Sequence, residues 1–117
     1  MKTDARVKYT KMVLKKALLE LMQRKPINKI TVKEVCERAE LNRATFYAHY
    51  SDCFDLLENI EEDLFGQFER SMQDYVQSFD IARLVDGLYR IVQENEEVCR
   101  VLLFGRRSTE LIHRMIA

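Results

Sequence analysis

Proline and glycine are scarce in this 117-residue chain, which has only Pro26 and three glycines, Gly66, Gly87 and Gly105. So few breakers among 47% hydrophobic residues exclude a loop-rich or disordered chain and predict an ordered, mostly helical one. The length allows one compact domain, or one small domain with an incomplete second. Each glycine stands alone, so no phosphate-cradling loop is present. Cys36, Cys53 and Cys99 are odd in number and far apart, which excludes a disulfide framework and makes a reducing cytoplasm the expected location. No apolar run approaches the ~20 residues of a membrane span. The basic start has no apolar core of a secretion signal.

Reactive constellations are missing too. There are two histidines, His49 and His113, and neither HExxH nor CxxC occurs. Cys36 falls on an apolar stripe and reads as a small buried thiol, so no metal and no cofactor are expected. The pairs Glu61-Glu62 and Glu96-Glu97 diverge by roughly 100° on a helix and read as solvated faces rather than acid–base dyads. No nucleophile has an identifiable base, so the chain is not expected to be an enzyme.

Net charge is zero, yet its distribution is uneven. Residues 1–50 hold twelve Lys/Arg against five Asp/Glu, a net of +7, and residues 51–117 hold seven against fourteen, a net of −7. A basic head on an acidic body suits a polyanion that meets the head and is repelled by the rest.

Apolar periodicity divides the chain into helices without repeats. Tyr9, Val13, Ala17, Leu18 and Leu21 form the inner stripe of a first helix from about Val7 to Arg24, closed by Pro26. Thr31 and Glu34 have the spacing of a capping box that starts a second helix, with Val32, Val35, Cys36 and Ala39 buried. Glu40, Leu41 and Asn42 make a turn, with Leu41 inward, and Asn42 caps a short third helix from Arg43 to about Tyr50. Ser51 or Asp52 caps a long fourth helix with Leu57, Ile60, Leu64, Phe68, Met72, Tyr75 and Phe79 in register. Asp80 begins a fifth, with Ile81, Leu84, Val85, Leu88 and Val92 inside. Asn95 begins a sixth that stops at Gly105, and Ser108 caps a seventh carrying Leu111, Ile112, Met115 and Ile116. That last pattern ends without a stop signal, so the body is expected to be truncated.

The second and third helices, with their tight turn, have the form of a helix-turn-helix. On the third, Phe46 and Tyr50 share the inner face toward Leu41, Val35 and the first helix, and Ala44, Thr45, Tyr47 and Ala48 lie opposite. Ala44 and Ala48 lack bulk and permit close approach to a groove floor. Arg43 can offer paired donors to guanine O6 and N7, and Thr45 suits a base edge or a thymine methyl. Tyr47 and Asn42 can reach phosphates, Thr31 sits at a helix N-terminus that can receive another, and His49 lies at the flank.

Residues 8–65 resemble the DNA-binding domain of the TetR family of transcriptional regulators. The resemblance rests on KKALLELM, on ITVKEVCERAELNRATFYAHYSD from Ile30 to Asp52, and on the run Phe54-Asp55-Leu56-Leu57. It implies DNA contacts at Thr31, Asn42, Arg43, Ala44, Thr45, Tyr47 and His49. It also implies a helical body that binds small effectors and a homodimer formed by the last two of nine or more helices. The family usually has Gly where Glu40 stands and a phosphate-contacting Lys where Cys53 stands. A branch with a similar TFYAHYSD motif and a glycine-free turn acts with protein partners or as activators, so the direction of regulation is open.

The expected fold is all-α: a three-helix helix-turn-helix DNA-binding head, residues 1–52, then a truncated effector or dimerisation body, residues 53–117. The expected function is sequence-specific transcriptional regulation, by default repression, through double-stranded DNA as a dimer on a palindromic operator. Phe68, Met72, Tyr75, Leu88, Tyr89 and Leu103 are the candidates for lining an effector cavity, although their helical spacing is also that of ordinary core. The alternatives are a helical adaptor or co-activator working through a protein partner, and a helical small-molecule carrier or enzyme.

Overall fold

A computed structural model describes residues 2–103. Six helices follow in order: α1 (Lys2–Met22), α2 (Val32–Ala39), α3 (Arg43–Tyr47), α4 (Cys53–Ser78), α5 (Ile81–Glu94) and α6 (Glu96–Leu103). One 3₁₀ turn, Ile27–Lys29, lies between α1 and α2. Among the described residues the chain is all-α, with no strand, and no helix is long and apolar enough to cross a membrane. The stop at Gly105 and the seventh helix expected from Ser108 lie outside the described residues. The chain divides into two compact units, the second beginning at Ile60, inside α4.

In the first unit the inner stripe of α1 is Leu14, Ala17, Leu18 and Leu21, all buried. Their steps of three and four residues put them on one face of a 3.6-residue helix. α1 packs on α2, and α2 on α3. Ile27, Ile30, Val35, Cys36, Phe46, Tyr50, Cys53, Leu56 and Leu57 are buried as well. A fully buried Leu or Phe side chain contributes about 1.5–3 kcal/mol, so this apolar set supplies most of the head's cohesion. The ion pair of Arg38 with Glu20, 2.9 Å, joins α2 to α1 at the surface.

Three expectations are corrected here. Tyr9 is 59% exposed rather than core, because the buried stripe runs through Leu14 and Leu18 and Tyr9 lies on the far side of the helix. α1 begins at Lys2, not Val7. The apolar period that marks a helix starts only at Val7, but the polar turn before it carries Asp4, whose charge suits a helix N-terminus. α3 ends at Tyr47, with Ala48 as its cap; His49 and Tyr50 donate their backbone N–H to the Phe46 carbonyl in a closing turn.

The turn between α2 and α3 forms without glycine. Glu40 takes a left-handed conformation, φ 58 and ψ 42. Its N–H donates to the Glu37 carbonyl at 3.3 Å, and the Leu41 N–H reaches back to the Cys36 carbonyl at 3.0 Å. This pairing of donors is a Schellman motif, whose left-handed position normally takes glycine. A left-handed residue with a Cβ costs about 1–2 kcal/mol. Glycine relieves that cost and loses part of the gain to chain entropy. Glu40→Gly is therefore expected to stabilise the head by about 1 kcal/mol, read as a higher urea midpoint; an unchanged or lower midpoint would contradict the strain.

In the second unit α4 and α5 approach closely. A Cβ at Gly87 would stand 2.7 Å from the Ser71 Oγ. Gln67 and Asn95 exchange side-chain hydrogen bonds, the shorter 2.9 Å, and Arg83 pairs with Asp74 at 2.8 Å. Ile60, Leu64, Ile91, Val98, Cys99, Val101 and Leu102 are buried. Several residues expected inside are not: Met72, Phe79, Ile81, Val85 and Val92 are all exposed. Periodicity identifies an apolar face, but a face is buried only where another element covers it.

Candidate nucleic-acid interface

The site begins with two helix caps. The Thr31 Oγ1 accepts the Glu34 N–H at 3.1 Å, and the Thr31 N–H donates to the Glu34 carboxylate at 3.1 Å. This reciprocal box fixes where α2 starts. The other carboxylate oxygen of Glu34 accepts from the Lys25 ammonium, which anchors the loop between α1 and α2. The Asn42 Oδ1 accepts both the Thr45 N–H at 2.8 Å and the Thr45 hydroxyl at 2.9 Å. The Cys36 thiol faces the Asn42 carbonyl at 3.8 Å, tying α2 to the start of α3.

α3 is thereby held with one face in and one out. Phe46 is fully buried, with Tyr50 at 5.9 Å and Tyr47 at 5.5 Å between ring centroids, the latter edge to face. On the opposite side Arg43, Ala44, Tyr47 and Ala48 are exposed, Tyr47 at 54%. Thr45 is half-buried at the flank, and His49, also half-buried, stacks obliquely on Tyr50. All seven sequence-selected positions thus lie on α2's start, α3 and its closing turn. Thr31, Asn42, Arg43 and Ala44 are exposed.

The geometry narrows what each can offer. With the Thr45 hydroxyl donating to Asn42, what Thr45 presents outward is its methyl and oxygen lone pairs. With the Asn42 oxygen committed to the cap, its Nδ2 hydrogens are the group left for an anion. Thr31 is similarly engaged by Glu34, so its helix N-terminus already has a carboxylate partner. Sequence reading missed Lys33, which is exposed in the first turn of α2 beside Thr31. A cation just after a capped helix start was the signal that could have found it.

The electrostatics of the supporting groups follow from their neighbours. The Lys25 ammonium, then the Thr31 N–H, hold the Glu34 carboxyl below its ordinary pKa. A depressed folded pKa contributes stability above the unfolded value, lost as pH falls through the folded one. The head is therefore expected to lose thermal stability in that acid range, and Glu34→Gln to flatten this part of the profile; identical profiles would contradict the coupling. Burial, then the Asp52 charge, pushes the Cys53 thiol up to about 11. Burial also raises Cys36 above its ordinary value, and Tyr50 too, helped by the Asp55 charge. These groups stay neutral at physiological pH and serve the core, including Cys53 at the position where the resemblance led to expect a lysine.

The six candidates for an effector cavity are spread over the second unit. Phe68, Tyr75, Leu88 and Leu103 are half-buried, whereas Met72 and Tyr89 are 47% and 62% exposed.

Comparison with known proteins adds two findings. Residues 14–60 match the family described as bacterial regulatory proteins, tetR family. A stretch of 71 residues is 32% identical to an uncharacterised HTH-type transcriptional regulator, YxbF, of Bacillus subtilis (strain 168). That stretch is 61% of this chain and 19% of the relative, so the chain spans about a fifth of that protein's length. No solved structure matches.

Proposed function

We propose that the chain, whose residues 14–60 match the tetR family of bacterial regulatory proteins, is a regulator of that family that binds specific DNA sequences to control transcription. A head, residues 1–52, sets α3 in the major groove. A body, residues 53–117, serves pairing and effector binding. Two heads of a homodimer read a palindromic operator in the cytoplasm, and repression is the default outcome, relieved by a small molecule at the body. The role is binding, not catalysis.

The observation that carries this reading is the outward face of α3, where Tyr47 is 54% exposed beside Arg43 and Ala44 while Phe46 is fully buried behind it. Small residues let the helix seat deeply. Arg43 provides paired donors to guanine. Asn42 through Nδ2, Tyr47 through its hydroxyl, His49 through its ring and Lys33 through its ammonium are the phosphate contacts that fix register. Thr45 contributes its methyl to a base edge, and Thr31 steadies the start of α2.

The test is selection of fragments from genomic DNA by the purified chain at two ionic strengths, followed by titration of the selected site. Phosphate contacts release counterions, so affinity should fall steeply with salt. Tyr47→Phe and Thr45→Ala are each expected to weaken binding several-fold with melting unchanged. Affinity indifferent to salt and to both substitutions would overturn the reading and favour a helical adaptor that binds protein.

A further inference from the structure

The cations of the head are confined to its first part. From Ala44 to Glu69 there is no Lys or Arg, against seven Asp and Glu. The start of α4 shows the consequence. The Asp52 carboxylate accepts the Asp55 N–H at 2.8 Å, and the Asp55 carboxylate accepts the Ser51 N–H at 3.0 Å. A phosphate approaching that helix end meets two carboxylates and is repelled. Before α3, Lys25 and Arg38 are already held by Glu34 and Glu20. α1 carries the largest unpaired set. Lys8, Lys11 and Lys15 recur at steps of three and four and form one stripe, with Lys16 beside it. Among the described residues none of these four forms an ion pair, not even Lys8 with Asp4 one turn before it.

Two further observations concern the same stretch of α1. No residue from Asp4 to Tyr9 is buried, so the first turns of the helix stand clear of the core. Tyr9 and Met12, on the side of Lys8 and Lys16, are 59% and 56% exposed. Like charges three and four residues apart repel along a helix, so the unbound stripe carries a repulsion that a row of anions would relieve.

We propose that this stripe lies along the DNA backbone flanking the half-site read by α3, a contact that deepens the DNA-binding reading above and rests on it. From Lys8 to Lys15 the helix advances about 10 Å at 1.5 Å per residue. One DNA strand places about three phosphates in that length, so three ammonium groups match a short run of them. The Tyr9 hydroxyl, on the adjacent side, adds a donor. A polyanion is favoured over an acidic protein surface, because lysine is depleted from protein interfaces and α1 belongs to the same compact unit as α3. Backbone contacts carry no sequence information. α1 therefore sets how tightly the head holds any DNA, and α3 sets which DNA it prefers.

The experiment is titration of the full chain against two duplexes of equal length, the selected operator with its flanks and a random sequence, at several salt concentrations. Lys8→Gln, Lys11→Gln and Lys15→Gln are combined in one variant, since Gln keeps the helix propensity of Lys. It should melt no lower than wild type and bind both duplexes about 10-fold more weakly. Its salt slope should flatten by about 2–3 on each, with the preference for the operator unchanged. Lys8→Arg, Lys11→Arg and Lys15→Arg together should behave as wild type. Cutting the flanks back to the half-sites should weaken wild type and leave the Gln variant unchanged. An unchanged slope in the Gln variant, a loss confined to the operator, or wild-type affinity indifferent to flank length overturns the contact. If no operator is selected but the random duplex shows the expected change in slope, the contact stands and the sequence-specific reading fails. If the operator is preferred and the slope is unchanged, that reading stands and the contact fails; binding to neither duplex overturns both.

Discussion

Phe46→Ala is expected to unfold the head. The ring is fully buried, meets Tyr47 edge-on and lies beside Tyr50 on the inner face of α3. Removing a buried Phe side chain costs about 3–5 kcal/mol, because transfer energy is lost and a cavity remains. A unit of about 60 residues buries too little surface to absorb that loss. Helical circular dichroism during urea titration should show the first unit melting at or near zero denaturant. Tyr47→Phe, on the opposite side of the same short helix, should leave that midpoint in place. A Phe46→Ala midpoint within about 1 kcal/mol of wild type would mean that α3 is not held by its inner face, and the orientation of its outer face would lose its physical basis.

The contrast between these neighbouring residues explains what was legible in the sequence. Local chemistry fixed the boundaries wherever a side chain caps a helix. Thr31 with Glu34, Asn42 with Thr45, and Asp80 with Arg83 all form the hydrogen bonds that their spacing predicts. Asp52 rather than Ser51 caps α4, accepting the Asp55 N–H at 2.8 Å, while the Ser51 N–H donates to the Asp55 carboxylate. Where no cap stands, the boundary was misplaced: α1 runs back to Lys2, and α3 stops at Tyr47 although the aromatic spacing of Phe46 and Tyr50 continues. Tyr50 is buried as expected. It arrives there from a turn instead of a helix, so the spacing predicted its environment better than its backbone.

Burial was legible only where the covering element is near in sequence. Ala17, Leu18, Leu21, Val35 and Phe46 are buried as their spacing predicts, in helices joined by short connections, although the stripe expected on α1 took in the exposed Tyr9 and left out the fully buried Leu14. Ile81, Val85 and Val92 carry an equally regular stripe and are exposed. Amphipathicity reports that a face wants cover; it does not report what provides it. At the proposed site the same limit applies at the scale of single atoms. Residue type indicated that Thr45 and Asn42 can hydrogen-bond, but only coordinates reveal that they bond to each other, which turns Thr45 toward an apolar role and leaves Asn42 its Nδ2.

Arg43→Ala is expected to have the largest effect on DNA binding and to differ in kind from Lys33→Ala. Arg43 is exposed in the first turn of α3, one residue after its cap, where a long side chain can pass beyond the helix end to a base edge. Losing a bidentate contact to guanine costs about 1–3 kcal/mol and relaxes preference at one base-pair position. Lys33 is exposed in the first turn of α2, next to the Thr31 cap, where phosphate rather than base is in reach. Its loss should weaken all sequences about equally and reduce the salt slope by about one. Neither residue carries the fold, so melting should not change in either variant. The measurement is affinity for the selected operator and for versions altered one pair at a time, each at several salt concentrations. If Arg43→Ala weakened every sequence uniformly, Arg43 would be a backbone contact and base reading would have to come from Thr45 and Tyr47. If Lys33→Ala left the salt slope intact, α2 would present no ammonium to the phosphates.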